Sequence, residues 1–214
     1  MRTSTITKKI ARIFLSILFI FTLSTSAFAA DTPQPRIDFV ATMDVVSFSG
    51  GGSFSSTGYK GHSFLIFKNT SNSNITIGHM PVAPGESITI GTFGNRSAHS
   101  GIWYNIEGYH GVSSTSYGLR TGLTTGQLLL VNQEINGHDS WSLSNNCSAF
   151  ARDVWNAADS GNTLSGGNPA ALASSIKKCS GYTTNPTIPS KSLNSIARHT
   201  SSSYSYDASG ANPG

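Results

Sequence analysis

Two cysteines are all that this 214-residue chain carries, so at most one internal disulfide is available and the fold must rest on its apolar core. Long apolar runs are scarce too. The run IFLSILFIFTL at residues 13–23 is about half of the roughly 20 residues that a membrane-spanning helix requires. It follows Lys8, Lys9 and Arg12 and precedes the small-x-small sequence Ala27-Phe28-Ala29, the three zones of a secretory signal peptide. Residues 1–29 are therefore expected to be a leader cleaved after Ala29, and the mature chain to be secreted or extracytoplasmic with no membrane span.

An excess of positive charge is also lacking once the leader is set aside. Arg2, Lys8, Lys9 and Arg12 leave with it, and ten basic residues then face ten acidic ones. A neutral chain offers no basic surface for nucleic acid or an anionic membrane. There is no internal repeat and no Gly-x-Ser-x-Gly between a strand and a helix, which removes the usual serine-hydrolase signal. Close His-x-His or His-x-x-x-His spacings are missing, so neither a zinc site nor another cofactor is expected.

What is present reads as α+β: an antiparallel sheet followed by packed helices. Residues 30–57 are expected to hold an N-terminal strand, at 37–46, and a Gly/Ser-rich link. The main domain is expected over 58–199, and a disordered, Ser- and Tyr-rich tail over 200–214. Residues 62–67 and 74–79 read as a hairpin turning near 69–73, and 87–90 and 102–106 as further strands. Thr124 and Gln127 form a capping box before Leu128, Val131 and Ile135 on one helical face. Cys147, Phe150, Ala151, Val154, Trp155 and Ala158 form a second buried helical stripe. Asn168 and Pro169 start a third helix, ending near Lys177 and Lys178.

Cys147 falls in the first turn of the second helix, where unpaired N–H groups and the helix dipole favour a thiolate. The N–H groups of Cys147 and Ser148, with the side chains of Asn145 or Asn146, are candidate donors to an oxyanion. A nucleophilic cysteine needs a histidine base held by a third group. Pairing about a turn at 69–73 sets His62 opposite His79, so one is expected to take the thiol proton and the other to orient it. His99, His110 and His138 sit in Gly- and Ser-containing loops and read as surface residues. Asp139 is a further candidate to orient a histidine, although exposure suits its position better.

The segments GHSFLIFKN, GHM and NNCSAFARDVWN together resemble the circularly permuted papain-like hydrolases, which include NlpC-type cell-wall peptidases and the lecithin:retinol acyltransferase type. The resemblance covers roughly residues 59–178 and implies a permuted papain-like fold, with His62 as base, His79 as orienting residue and Cys147 as nucleophile. It further implies a secreted thiol-protease-like hydrolase or acyltransferase acting on an amide or ester of an extracellular peptide, peptidoglycan or acyl substrate. Cys179 has no counterpart in that pattern. Antiparallel packing of the last two helices would set it beside Cys147, and a Cys147–Cys179 disulfide is the competing expectation. It would make the chain a stapled, non-enzymatic binding module with Trp103, Tyr104 and Tyr109 as a contact surface. A buried, inert Cys147 thiol is the third.

Overall fold

The computed structural model describes residues 37–49, 61–94, 101–138, 141–158 and 160–211. The expected leader, most of the Gly/Ser-rich link, His99 and Asp139 lie outside the described residues. An eight-stranded antiparallel sheet dominates, and helices pack on it, so the fold class is α+β. The elements fall within the unit Asp38–Gly214.

In chain order the strands are β1 (Ala41–Ser49), β2 (Gly61–Asn69), β3 (Ile75–Ile77), β4 (Met80–Val82), β5 (Ser87–Phe93), β6 (Gly101–Tyr104), β7 (Ser116–Leu123), β8 (Thr183–Thr184), β9 (Ala197–His199) and β10 (Tyr204–Tyr206). The helices are α1 (Ile106–His110), α2 (Thr125–Gly137), α3 (Cys147–Ala157) and α4 (Pro169–Ile176). The large sheet runs β10-β9-β6-β5-β2-β1-β7-β8, while β3 and β4 form a separate ribbon.

The central strands are covered on both faces, which is why β1, β2 and β5 read as nearly continuous apolar runs. Met43, Val45, Leu65, Phe67, Ile88 and Ile90 face the helices and join Leu128, Val131, Phe150, Val154 and Trp155 in the main core. Val46, Phe48, Phe64, Ile66, Phe93 and Trp103 form a smaller core on the other face with Ile106 and Ile196. Successive strand residues alternate between these cores.

The expected hairpin is not the one that forms. β2 pairs with β1, setting Phe48 opposite His62, and with β5, setting Leu65 opposite Ile90. β3 pairs only with β4. Asn69 diverts the chain: its Nδ2 donates to the carbonyls of Ser73 and Val82, and its Oδ1 accepts from Ser71. This Asx turn sends residues 70–86 out as the ribbon before β5 rejoins the sheet opposite Lys68. β1, expected as a separate N-terminal strand, instead lies between β2 and β7 and belongs to the main unit.

The helices start as their caps direct. Thr124 and Gln127 complete the capping box of α2, and Asn168 caps α4 ahead of Pro169. The segment 102–106 splits, with Asn105 in the left-handed region (φ 67°) separating β6 from α1. The tail is ordered further than its composition implies, because Tyr204–Tyr206 pairs with β9 and a 3-10 turn follows at Ala208–Ala211. Gly210 in that turn packs on the Trp103 ring, and a Cβ there would come within 2.5 Å of it. No helix among the described residues is long and apolar enough to cross a membrane.

Candidate active site

His62, the second residue of β2, is 2% exposed. Three phenylalanine rings surround it: Phe93 stacks at 4.6 Å, Phe64 at 5.9 Å, and Phe48 meets it edge-on at 6.4 Å. A wall of this kind fixes the imidazole plane and excludes water. Its Nε2 lies 3.0 Å from Oε1 of Glu107, a fully buried carboxylate. The Cys147 thiol lines the same cleft as the ring and interacts with it electrostatically, and with Nε2 engaged by Glu107 the other ring nitrogen is the one left to face sulfur. Cys147, His62 and Glu107 are thus grouped about one imidazole, an arrangement of thiol, ring and carboxylate that can support nucleophilic chemistry.

Glu107 owes its position to a short, heavily tethered turn. Its second oxygen accepts from Thr89 Oγ1 at 2.7 Å. The Asn105 that enters α1 in the left-handed region exchanges hydrogen bonds with the Thr89 backbone and donates to the Ser195 carbonyl. Gly91 leaves the room: a Cβ there would sit 2.1 Å from Glu107 Oε1 and 3.0 Å from His62 Nε2.

Burial is the largest influence on both reacting groups and disfavours charge on each. For His62 it is overcome by the Cys147 thiolate, and then by the Glu107 carboxylate, so that its pKa is pushed up to about 9. For Cys147 burial pushes the thiol up, but the His62 imidazolium, the Ser63 backbone N–H and the Ser148 hydroxyl together bring it below its ordinary value. Each group therefore favours the charged form of the other, which is the direction of a thiolate–imidazolium pair. Below Cys147's lowered pKa the nucleophile is protonated, and above about 9 the imidazolium is lost. Both forms coexist only between these limits.

Beneath the sulfur runs a chain of serines. Ser148 Oγ is 3.9 Å from Cys147 Sγ and 2.9 Å from Ser63 Oγ. Ser63 reaches Ser47 at 2.8 Å, and Ser47 donates to the Pro169 carbonyl at 2.8 Å. The chain ties the starts of α3 and α4 to the strand that carries His62.

The expected oxyanion donors are mostly committed elsewhere. Asn146 is the N-cap of α3 and its Oδ1 accepts from the N–H groups of both Ser148 and Ala149. Its Nδ2 donates to the carbonyls of Leu143 and Gly167, and Asn145 Oδ1 is 2.8 Å from His138 Nδ1. Ser148 and both asparagines thus build the helix start. The Cys147 N–H has no acceptor among the described residues. As a cap, Asn146→Ala is expected to cost about 1 kcal/mol, or roughly 2–4 °C in melting temperature by scanning calorimetry.

His79 is not brought to His62. It sits in the turn between β3 and β4, its ring stacked on His199 at 4.6 Å, and its N–H donates to Tyr104 Oη. The hydrogen-bond partner of His62 is the Glu107 carboxylate instead. His110 and His138 are half-buried rather than on the surface, His110 Nε2 lying 2.6 Å from the Ala211 carbonyl. Ligand atoms of Glu134, His138 and Asp153 lie within 4.8 Å of one another, but Arg152 already holds the Asp153 carboxylate at 2.6 and 2.8 Å.

The disulfide is not formed, and both thiols are free. Pro169, which opens α4, lines the same cleft as Cys147, so the starts of the two helices converge there. Cys179 lies past the far end of α4, whose eight residues span about 12 Å. That exceeds the roughly 5.5–6 Å Cα separation of a bridge. Cys179 instead donates to the Ser175 carbonyl and packs on the core. The expected aromatic contact surface is reduced to one ring, since Trp103 and Tyr104 are fully buried and Tyr109 is exposed.

The cleft over the triad encloses about 220 Å³, with His62, Cys147, Thr92, Phe93, Trp141 and Pro169 among its walls. A larger one, about 380 Å³, lies beside the Asp44–Arg120 ion pair and holds no nucleophile. Sequence reasoning missed Glu107, one of only four acidic residues between His62 and Cys147. Elimination among those four was the signal on offer. Compared with family models, with curated proteins and with solved structures, the chain gives no match.

Proposed function

We propose that this chain is a secreted cysteine hydrolase or acyltransferase of permuted papain-like build, acting on an amide or ester bond. The observation that carries the reading is the buried His62, hydrogen-bonded to the Glu107 carboxylate and sharing one cleft with the Cys147 thiol. The residues that resemble the permuted papain-like hydrolases around His62 and Cys147 support it. Glu107 takes the orienting role that the resemblance assigns to His79.

The thiolate attacks the carbonyl carbon, and the C=O pair moves onto oxygen. The His62 imidazolium then gives its proton to the departing amine or alcohol, leaving a thioester on Cys147. Neutral His62 next takes a proton from water or from an acceptor nucleophile, which attacks the thioester and releases the acyl group. Glu107 holds the ring through both transfers. The leader-like residues 1–29 favour an extracellular substrate, with cell-wall peptide first among the peptide and acyl classes.

Acid-quenching the protein during reaction with p-nitrophenyl acetate tests the chemistry without knowledge of the substrate. The expected product is an acetyl thioester on the proteolytic peptide that carries Cys147, read by mass spectrometry. Acetylation confined to Cys179 or to lysines contradicts the proposal.

A further inference from the structure

One wall residue of the cleft has no task in the fold. Thr92 is 2% exposed, and its Oγ1 is buried without a hydrogen-bond partner among the described residues. An unpaired buried hydroxyl is costly, and valine would fill the same space without that cost. Its neighbours sharpen the anomaly. Ile88, Ile90 and Thr92 alternate onto the helix side of β5, where the first two join the main core. Thr89 and Gly91 face the other way, toward Glu107 and His62.

The ladder between β2 and β5 ends at Leu65 and Ile90. Two residues beyond that end stand Ser63, whose hydroxyl reaches Cys147 through Ser148, and Thr92, which lines the cleft with Cys147. The committed N–H of Ser148 leaves the Cys147 N–H as the helix-start donor for a developing oxyanion, and one donor is fewer than such sites usually provide.

We propose that the Thr92 hydroxyl is a catalytic oxyanion donor, paired with the Cys147 N–H. It rests on the cysteine acyl-transfer reading above. As the S–C bond forms, the carbonyl π pair becomes an alkoxide lone pair that accepts from Thr92 Oγ1. When the tetrahedral intermediate collapses, the C=O bond is restored and the leaving group takes the electron pair of its own bond.

Thr92→Val removes the hydroxyl at nearly constant volume, and Thr92→Ser keeps it. Two probes of the mature protein separate this role from that of the triad. Iodoacetamide alkylation is a displacement at saturated carbon that forms no oxyanion. Acylation by p-nitrophenyl acetate does form one. Thr92→Val is expected to alkylate at the wild-type rate while its acylation burst falls roughly 10²- to 10³-fold, with Thr92→Ser recovering most of the loss. Its melting temperature is expected to hold or rise, so a structural defect does not imitate the result. Wild-type acylation by Thr92→Val would overturn the oxyanion role and leave the triad standing. Equal loss of alkylation and acylation would also overturn it, by showing that the change acts through the thiolate. A wild-type protein unreactive to both probes removes the triad reading, and the Thr92 role with it.

Discussion

Replacing Cys147 by alanine is expected to remove acyl transfer, a fall of roughly 10⁶-fold in the acylation step if cysteine and histidine act as one unit. His62→Ala should fall nearly as far, and the double variant little further, because neither residue works without the other. Sulfur depends on the imidazolium to stay ionised against its burial, and the ring depends on the thiolate for much of its raised pKa. The two single variants are expected to differ in stability. Cys147→Ala deletes a partly desolvated charge, whereas His62→Ala opens a void among Phe48, Phe64 and Phe93 and strips Glu107 of its 3.0 Å partner. Burst kinetics with p-nitrophenyl acetate measure the first effect, and thermal unfolding the second. Full activity in Cys147→Ala would end the account.

Glu107→Gln should lower acyl transfer by roughly 10²- to 10⁴-fold while leaving the fold in place. The amide is nearly the same shape and Thr89 can still bond it, but the negative charge beside His62 is gone. That charge raises the histidine's pKa, so removing it lowers the pKa. The alkaline limb of the pH–rate profile should therefore move down from about 9. Gly91→Ala reaches the same carboxylate by a different route. Its methyl group would occupy space within 2.1 Å of Glu107 Oε1, between a side chain with no exposed surface and a ring packed on phenylalanines. Glu107 must then swing away, and a loss as large as that of Glu107→Gln is expected, together with about 1–3 kcal/mol of overpacking. An unshifted alkaline limb in Glu107→Gln, with unchanged rates in both variants, would remove Glu107 from the site.

How much of this site the chain announces differs from residue to residue. Cys147 is legible because α3 is amphipathic over its whole length and carries its own cap, Asn146, so periodicity and capping agree on where the helix starts. His62 is legible as part of a buried strand beginning Gly-His. Its partner is not. The expectation that consecutive strands pair led to His79, while the Asx turn at Asn69 diverts β3 and β4 and lets β1 and β5 flank β2 instead. Both of those pairings place apolar side chains of β1, β2 and β5 into the two shared cores.

Glu107 was hidden for a related reason. α1 has five residues, too few for a 3.6-residue period to show, and it is entered through a left-handed Asn105 that resembles ordinary loop sequence. A glutamate beside glycine and tyrosine reads as exposed, and only the tertiary packing of Thr89, Gly91 and His62 makes a buried site for it. Cys179 misled because loop length predicts that two helices are neighbours without fixing which ends meet. Pro169 against Gly61, where a Cβ would come within 3.3 Å of the proline ring, joins the start of α4 to the start of β2. In the tail, the alternation of Tyr204 and Tyr206 was the strand signal that serine-rich composition concealed.

The central claim, a Cys147 thiolate held by an imidazolium that Glu107 orients, is tested most directly by the pH dependence of alkylation in unreduced protein. Iodoacetamide labelling followed by peptide mapping reads Cys147 and Cys179 separately in the same sample. A single rapid label at Cys147 is expected, with a rate already on its plateau at pH values where an ordinary thiol, of pKa near 8.5, is still mostly protonated. His62→Ala should move that profile up to the ordinary thiol range or above it, because burial then acts without the opposing imidazolium. A Cys147 rate that rises only with the ordinary thiol titration, or an unlabelled protein two mass units below its reduced form, would contradict that claim.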